Sequence, residues 1–238
     1  MSVLRNFIWA ERFKYTIEDG NIFARSLAEA SRYYDFLLII VDRYRNTSKK
    51  MVLINKKEMK LSTAQPGVIV PVTVEQMRLM EEWSRLNTLV QLEIESFYQF
   101  AKIFLDKIAL FIQRYFGQAQ TLSLRSHDKW TKNHDAFRLA KGLTYPQDFS
   151  QTIILLNQYI VDFRDKQITH LYSQSTTRAT TWGNDAHMRI AAYHMEKKEQ
   201  AQSVDLPTLI QAIDKYISQI ITFIESNRAK TTLELRKT

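Results

Sequence analysis

Apolar residues recur at steps of three and four along most of this chain, and each stretch that keeps the rhythm predicts a helix. The first such stretch runs from Asn21 to about Tyr44, striped by Ile22, Leu27, Ala30, Tyr34, Leu37, Leu38 and Val41, with Asn21 as its N-cap after Gly20. Thr73 and Gln76 form a capping-box pair ahead of the longest helix, which extends to Phe116 and stops at Gly117. Its second half, with Ile94, Phe97, Phe100, Ala101, Phe104, Leu105, Ile108, Phe111, Ile112 and Tyr115, is apolar around more than one stripe and belongs at the centre of a helical core. A shorter helix covers Ser126 to Lys141 and ends at Gly142. Pro146 and Asp148 open another from Phe149 to about Tyr172, and Asp205 caps a last one from Leu206 to about Asn227. The tail, Arg228 to Thr238, is expected to fray.

Two places break the helical rhythm. Met51 to Ile54 and Val68 to Val72 are short β-like runs inside a basic segment, the second bracketed by Pro66-Gly67 and Pro71, and they read as a loop or small ribbon. Arg178 to Trp182 and Met188 to Met195 flank Gly183-Asn184-Asp185 and read as a β-hairpin. The fold class is therefore mainly all-α: an antiparallel helical bundle of four to five long helices with one or two small β-hairpin appendages. Residues 1–72 form an N-terminal helix with a basic linker or ribbon packed on the bundle. Residues 73–238 form the bundle, with a hairpin insertion near 178–195.

Composition agrees with long elements, since only 5 Gly and 4 Pro occur in 238 residues. The longest apolar run, Phe36 to Val41, is too short to cross a bilayer, and Met1 to Ala10 lacks the pattern of a secretory signal, so no membrane association is expected. With no Cys, disulfides and thiolate metal sites are excluded, and the cytoplasm is the expected compartment. A net charge of +8 favours polyanionic partners. Most of the excess sits between residues 43 and 60, where Arg43, Arg45, Lys49, Lys50, Lys56, Lys57 and Lys60 face only Glu58. That run is either a solvated linker or an arm that contacts phosphates.

The histidines are the scarcest chemical candidates. His127-Asp128 and His134-Asp135 repeat at seven residues, about 10 Å apart along a helix, too far to share one metal, and are read as a solvated face. His187 and His194 fall on opposite faces of a strand. No metal and no cofactor are expected.

His170 stands in a different context. The stretch Ile160-Val161-Asp162-Phe163-Arg164-Asp165-Lys166-Gln167-Ile168-Thr169-His170, late in an amphipathic helix, resembles the signature of the HEPN superfamily of prokaryotic helical domains, in which an Arg and a polar residue precede a His by a short gap. Arg164, Asp165 and His170 match it. Glu95 to Asp106 is similar to the long first core helix of some members, and the resemblance covers roughly residues 74 to 227.

The resemblance implies an RNA-directed protein, a metal-independent endoribonuclease of a bacterial defence or toxin system. His170 would act as general acid or base, Arg164 would hold the scissile phosphate, and Asp165 would orient one of the two. Lys166 and the basic segment 43–60 would add nucleic-acid contacts. RNA, a second copy of the chain and an antitoxin or other protein are the implied partners. On a straight helix Arg164 and His170 lie roughly 120° apart, an obstacle that the family meets with a symmetric dimer. The alternative is a non-enzymatic helical interaction or oligomerisation module. There His170 would close the apolar seam one heptad from Phe163, and Arg164 would pair with Asp162 or Asp165.

Overall fold

Helix boundaries in this protein follow the chemistry of their ends. Helix α3, Val74–Phe116, opens on a reciprocal pair of hydrogen bonds: the Thr73 amide donates to Gln76 Oε1 at 2.8 Å and the Gln76 amide to Thr73 Oγ1 at 3.2 Å. It stops at Gly117, and α4, His127–Lys141, stops at Gly142; both glycines sit at positive φ, where a Cβ would be strained. Ser126 caps α4 by accepting from the Lys129 amide at 3.3 Å.

The computed structural model describes residues 3–61, 71–119, 122–165, 176–182, 185–194, 199–202 and 204–237. The fold is mainly all-α. Its remaining helices are α1, Val3–Glu11; α2, Ile17–Leu61; α5, Phe149–Leu156; and α6, Leu206–Ser226. Strands β1, Thr176–Trp182, β2, Asp185–His194, and β3, Glu199–Gln202, pair antiparallel in the order β1-β2-β3, with Trp182 opposite Asp185 and His194 opposite Glu199.

Helix α2 corrects two expectations. It begins at Ile17, not Asn21, because Thr16 supplies the cap: its Oγ1 accepts from the Asp19 amide at 3.4 Å, and its carbonyl from Gly20 at 2.8 Å. It also continues through the basic segment to Leu61, so Met51 to Ile54 are helical and form no ribbon. No Gly or Pro interrupts residues 21–61, and Val41, Tyr44, Ser48, Met51 and Val52 extend the buried stripe at three- and four-residue steps. Of the second β-like run, residues 68–70 lie outside the described residues.

The tail is a third correction. Instead of fraying, residues 228–236 dock. Thr231 Oγ1 donates to the Tyr115 carbonyl at 2.7 Å, the Thr16 amide to the Glu234 carbonyl at 3.0 Å, and the Arg236 amide to the Lys14 carbonyl at 2.9 Å. Arg228 forks onto Glu11, with Nε and Nη2 donating to the two carboxylate oxygens at 2.6 and 2.8 Å. Glu11 is only 3% exposed, and Tyr15 donates to it at 2.9 Å while meeting the Tyr115 hydroxyl at 2.7 Å. A buried carboxylate without such partners would cost several kcal/mol, so this network is what lets the tail end of the chain hold the first helix.

The chain divides into two compact units. One comprises residues 1–38, 98–170 and 207–238. Its core is aromatic: Phe23 packs edge-on to Phe111 at 5.6 Å between centroids, Phe116 lies 5.1 Å from Phe223, and Phe149 stacks on Tyr216 at 5.8 Å. Gly20 is required here, because a Cβ at that position would come within 2.3 Å of the Arg12 carbonyl oxygen. The other unit comprises residues 39–97 and 171–206. Within it Arg43 Nε meets Glu93 at 3.0 Å and the Gln76 amide group reaches the Leu61 carbonyl at 3.4 Å, so these parts of α2 and α3 run antiparallel.

Candidate nucleic-acid interface

The basic segment is a helical face. Arg43, Arg45, Lys49, Lys50, Lys56, Lys57 and Lys60 are all exposed, while Val41, Tyr44, Ser48, Met51 and Val52 are buried on the other side of the same helix. At 100° per residue, Arg43, Lys50 and Lys57 form one row, and Arg45, Lys49, Lys56 and Lys60 a second roughly 110° around the axis from it. The two rows extend about 26 Å along the axis, a length that spans several backbone phosphates. Arg43 also serves the interior of its unit. Burial holds the Glu93 carboxyl above its ordinary range, and the Arg43 guanidinium beside it offsets only part of that rise.

The second candidate centre lies at the end of the α5 helical run. After Leu156 the helix widens into π-type turns over Asn157–Asp162, and the same winding resumes after Phe163. Arg164 lies in the resumed winding. Its Nε and Nη2 donate to Gln99 Oε1 at 3.1 and 2.9 Å, and its Nη1 to Asp165 Oδ1 at 2.7 Å. Phe163, one residue earlier, packs on Tyr98 with centroids 4.9 Å apart, so residues 98 and 99 on α3 fix the approach of both. Arg164 and Asp165 are thus brought together, each partly exposed. His170 and Lys166 lie outside the described residues.

Two histidines depart from the sequence expectation. His127 and His134 do not form a solvated face: they are 0% and 6% exposed and, with Trp130 and Phe137, make up the buried stripe of α4. The signal is present in the sequence, since 127, 130, 134 and 137 keep the three-four rhythm. His127 Nδ1 donates to Asn157 Oδ1 at 3.3 Å, and Asn157 Nδ2 donates in turn to Asp162 Oδ1 at 3.2 Å, tying α4 to the π-wound segment. The His127 amide donates to Asp106 Oδ1 at 2.8 Å, and Lys102 pairs with the same carboxylate at 2.7 Å. Burial pushes the His127 ring down to about 4, so it is neutral near pH 7 and serves as a structural hydrogen-bonding group. His134 Nδ1 donates to the Thr131 carbonyl at 2.8 Å.

Among the described residues, no group of three His, Cys, Asp or Glu side chains converges as a metal site, and no helix is long and apolar enough to cross a membrane. Compared with protein-family models, with curated proteins and with solved structures, the chain matches none.

Proposed function

We propose that this chain is an HEPN-like, RNA-directed helical protein whose binding surface is the exposed face of α2, its helices arranged as an antiparallel bundle carrying a small β-hairpin appendage. The observation that carries the reading is the double row of seven cations on one rigid helix. Ordered cations lose less conformational freedom on meeting a polyanion than a flexible arm would, and each phosphate they neutralise releases counterions.

A second element of the proposal is metal-independent RNA cleavage in a bacterial defence or toxin system, by Arg164 and His170, in a dimer. It is supported by the π-wound run that reaches Arg164 and Asp165, because such segments recur at functional sites. Asp165 and Gln99 then act as positioning groups that aim the guanidinium. The opposing reading, a non-enzymatic module that docks an antitoxin or other protein, is favoured by the same hydrogen bonds taken as purely structural. It is favoured too by the exposed Met77, Met80 and Leu92 on α3.

One experiment addresses both elements. Wild-type protein mixed with a single-stranded RNA at low salt is expected to bind it and to shorten it in EDTA, and His170→Ala is expected to bind equally while cleaving at least 100-fold more slowly. Cleavage unchanged in that variant would remove the nuclease element. Absence of RNA binding at low salt would remove the whole reading and leave the protein-docking module.

A further inference from the structure

Outside both candidate centres, the first unit carries a concave site of about 430 Å³ between α1 and the beginning of α2. Four arginines line it, Arg5, Arg12, Arg25 and Arg32, and no carboxylate does among the described residues. Asp35 pairs with Arg5 nearby, leaving the cluster strongly positive. Guanidiniums gathered in this way repel one another, and a multivalent anion relieves the repulsion.

Several features distinguish the groove from an ordinary basic surface. Arg12 is held in place by two rings, its guanidinium carbon 4.0 Å from the Trp9 centroid and 4.7 Å from that of Phe13. Trp9 lines the groove and is half exposed, offering an aromatic surface for a planar ring. Ser31 also lines it, is 4% exposed, and its hydroxyl has no hydrogen-bond partner, although a helical serine normally finds one. The positive field extends to either side. Arg12 is shared with an adjoining hollow that includes Arg236, and Arg25 with one that holds Lys107 and Arg114 against Glu29. Gly20 lines the adjoining hollow and lets the Arg12 backbone approach α2.

The geometry points to a binding site for a nucleoside di- or triphosphate, with the phosphates on the arginine forks and the base against Trp9. The volume suits one small ligand, and Arg forks match phosphate oxygens in pairs. This inference does not depend on RNA binding by α2, because every residue of the groove lies outside that face.

Calorimetric titration of the full chain with ATP, tripolyphosphate and adenosine, each without metal, tests it. ATP is expected to bind most tightly, tripolyphosphate more weakly and adenosine weakest. Arg25 and Arg32 are exposed, so Arg25→Ala/Arg32→Ala is expected to keep the thermal transition while weakening ATP at least tenfold. Trp9→Ala removes the base platform and one of the two rings that hold Arg12, and is expected to weaken ATP more than tripolyphosphate. A charge variant of the α2 face, with Lys49, Lys50, Lys56 and Lys57 changed to Gln, is expected to keep full ATP affinity, which separates this site from the RNA reading. No heat with ATP or tripolyphosphate at millimolar concentration would overturn the inference. So would an arginine double variant that binds ATP like wild type, or one that loses only RNA binding.

Discussion

Two regions of this chain concentrate positive charge, and they do so in opposite ways. The face of α2 is convex and mostly lysine, its side chains exposed along a helix. The groove beside α1 is concave and all arginine, with one guanidinium clamped by rings and another paired with a carboxylate. Lysine is a hydrated point charge on a flexible stem, whereas arginine presents a planar fork. The first arrangement tracks a long backbone with little regard to shape; the second selects one compact anion. The lesson is that net charge identifies a class of partner, but the stiffness and curvature of the surface bearing it determine which member of the class can bind.

The largest expected effect comes from unlocking the wall of the groove. Arg228→Ala leaves Glu11 buried without its fork and should destabilise the first unit by about 3 to 5 kcal/mol. Thermal unfolding should show it, and ATP binding should fall with it while the α2 face keeps its RNA affinity under conditions where the variant is still folded. A variant as stable as wild type would mean that the tail merely rests on α1.

Acid should separate the regions next. Folded chain holds His127 down to about 4, whereas an unfolded imidazole takes its proton near 6.5, so the unfolded state binds more protons between those values. Stability contributed by keeping this ring neutral is therefore full above about pH 6.5, falls as pH drops, and is gone near pH 4, a loss of roughly 3 kcal/mol. His127 belongs to the unit that carries the groove, so amide exchange should quicken there before it does along the basic half of α2. His127→Gln should flatten the decline; an equally steep decline in that variant would contradict the assignment.

The smallest effect belongs to the unit that carries the lysine face. Thr73→Ala removes one side of the capping box and should cost about 1 kcal/mol, seen as faster amide exchange in the first turn of α3. Groove binding should not change. Exchange at that turn as slow as in wild type would show that the cap contributes nothing.

These contrasts also explain what is legible in the sequence. Caps and glycine stops are local signals, so Thr73, Gln76, Gly117 and Gly142 mark the ends of α3 and α4 as expected. The basic half of α2 reads as a ribbon because a charge-dense stretch hides its apolar stripe, and two β-branched residues near Met51 outweigh the absence of any breaker. Thr16 and Asp19 carry a capping pattern that places the true start of α2. His127 and His134 look polar in type although their spacing puts them in the core. The groove is the least legible feature: it is assembled from residues 5 to 32 on two helices and the turn between them, and its clamp depends on ring geometry.

The salt dependence of RNA affinity tests the central claim most directly. Each phosphate contact to a single strand contributes about −0.7 to the slope of log K against log salt concentration, so replacing Lys49, Lys50, Lys56 and Lys57 by Gln should flatten the wild-type slope by as much as ~2.8. It should also weaken binding at least tenfold at low salt. Equal slopes and equal affinities in the two proteins would contradict the account, because RNA would then be held somewhere other than the face of α2.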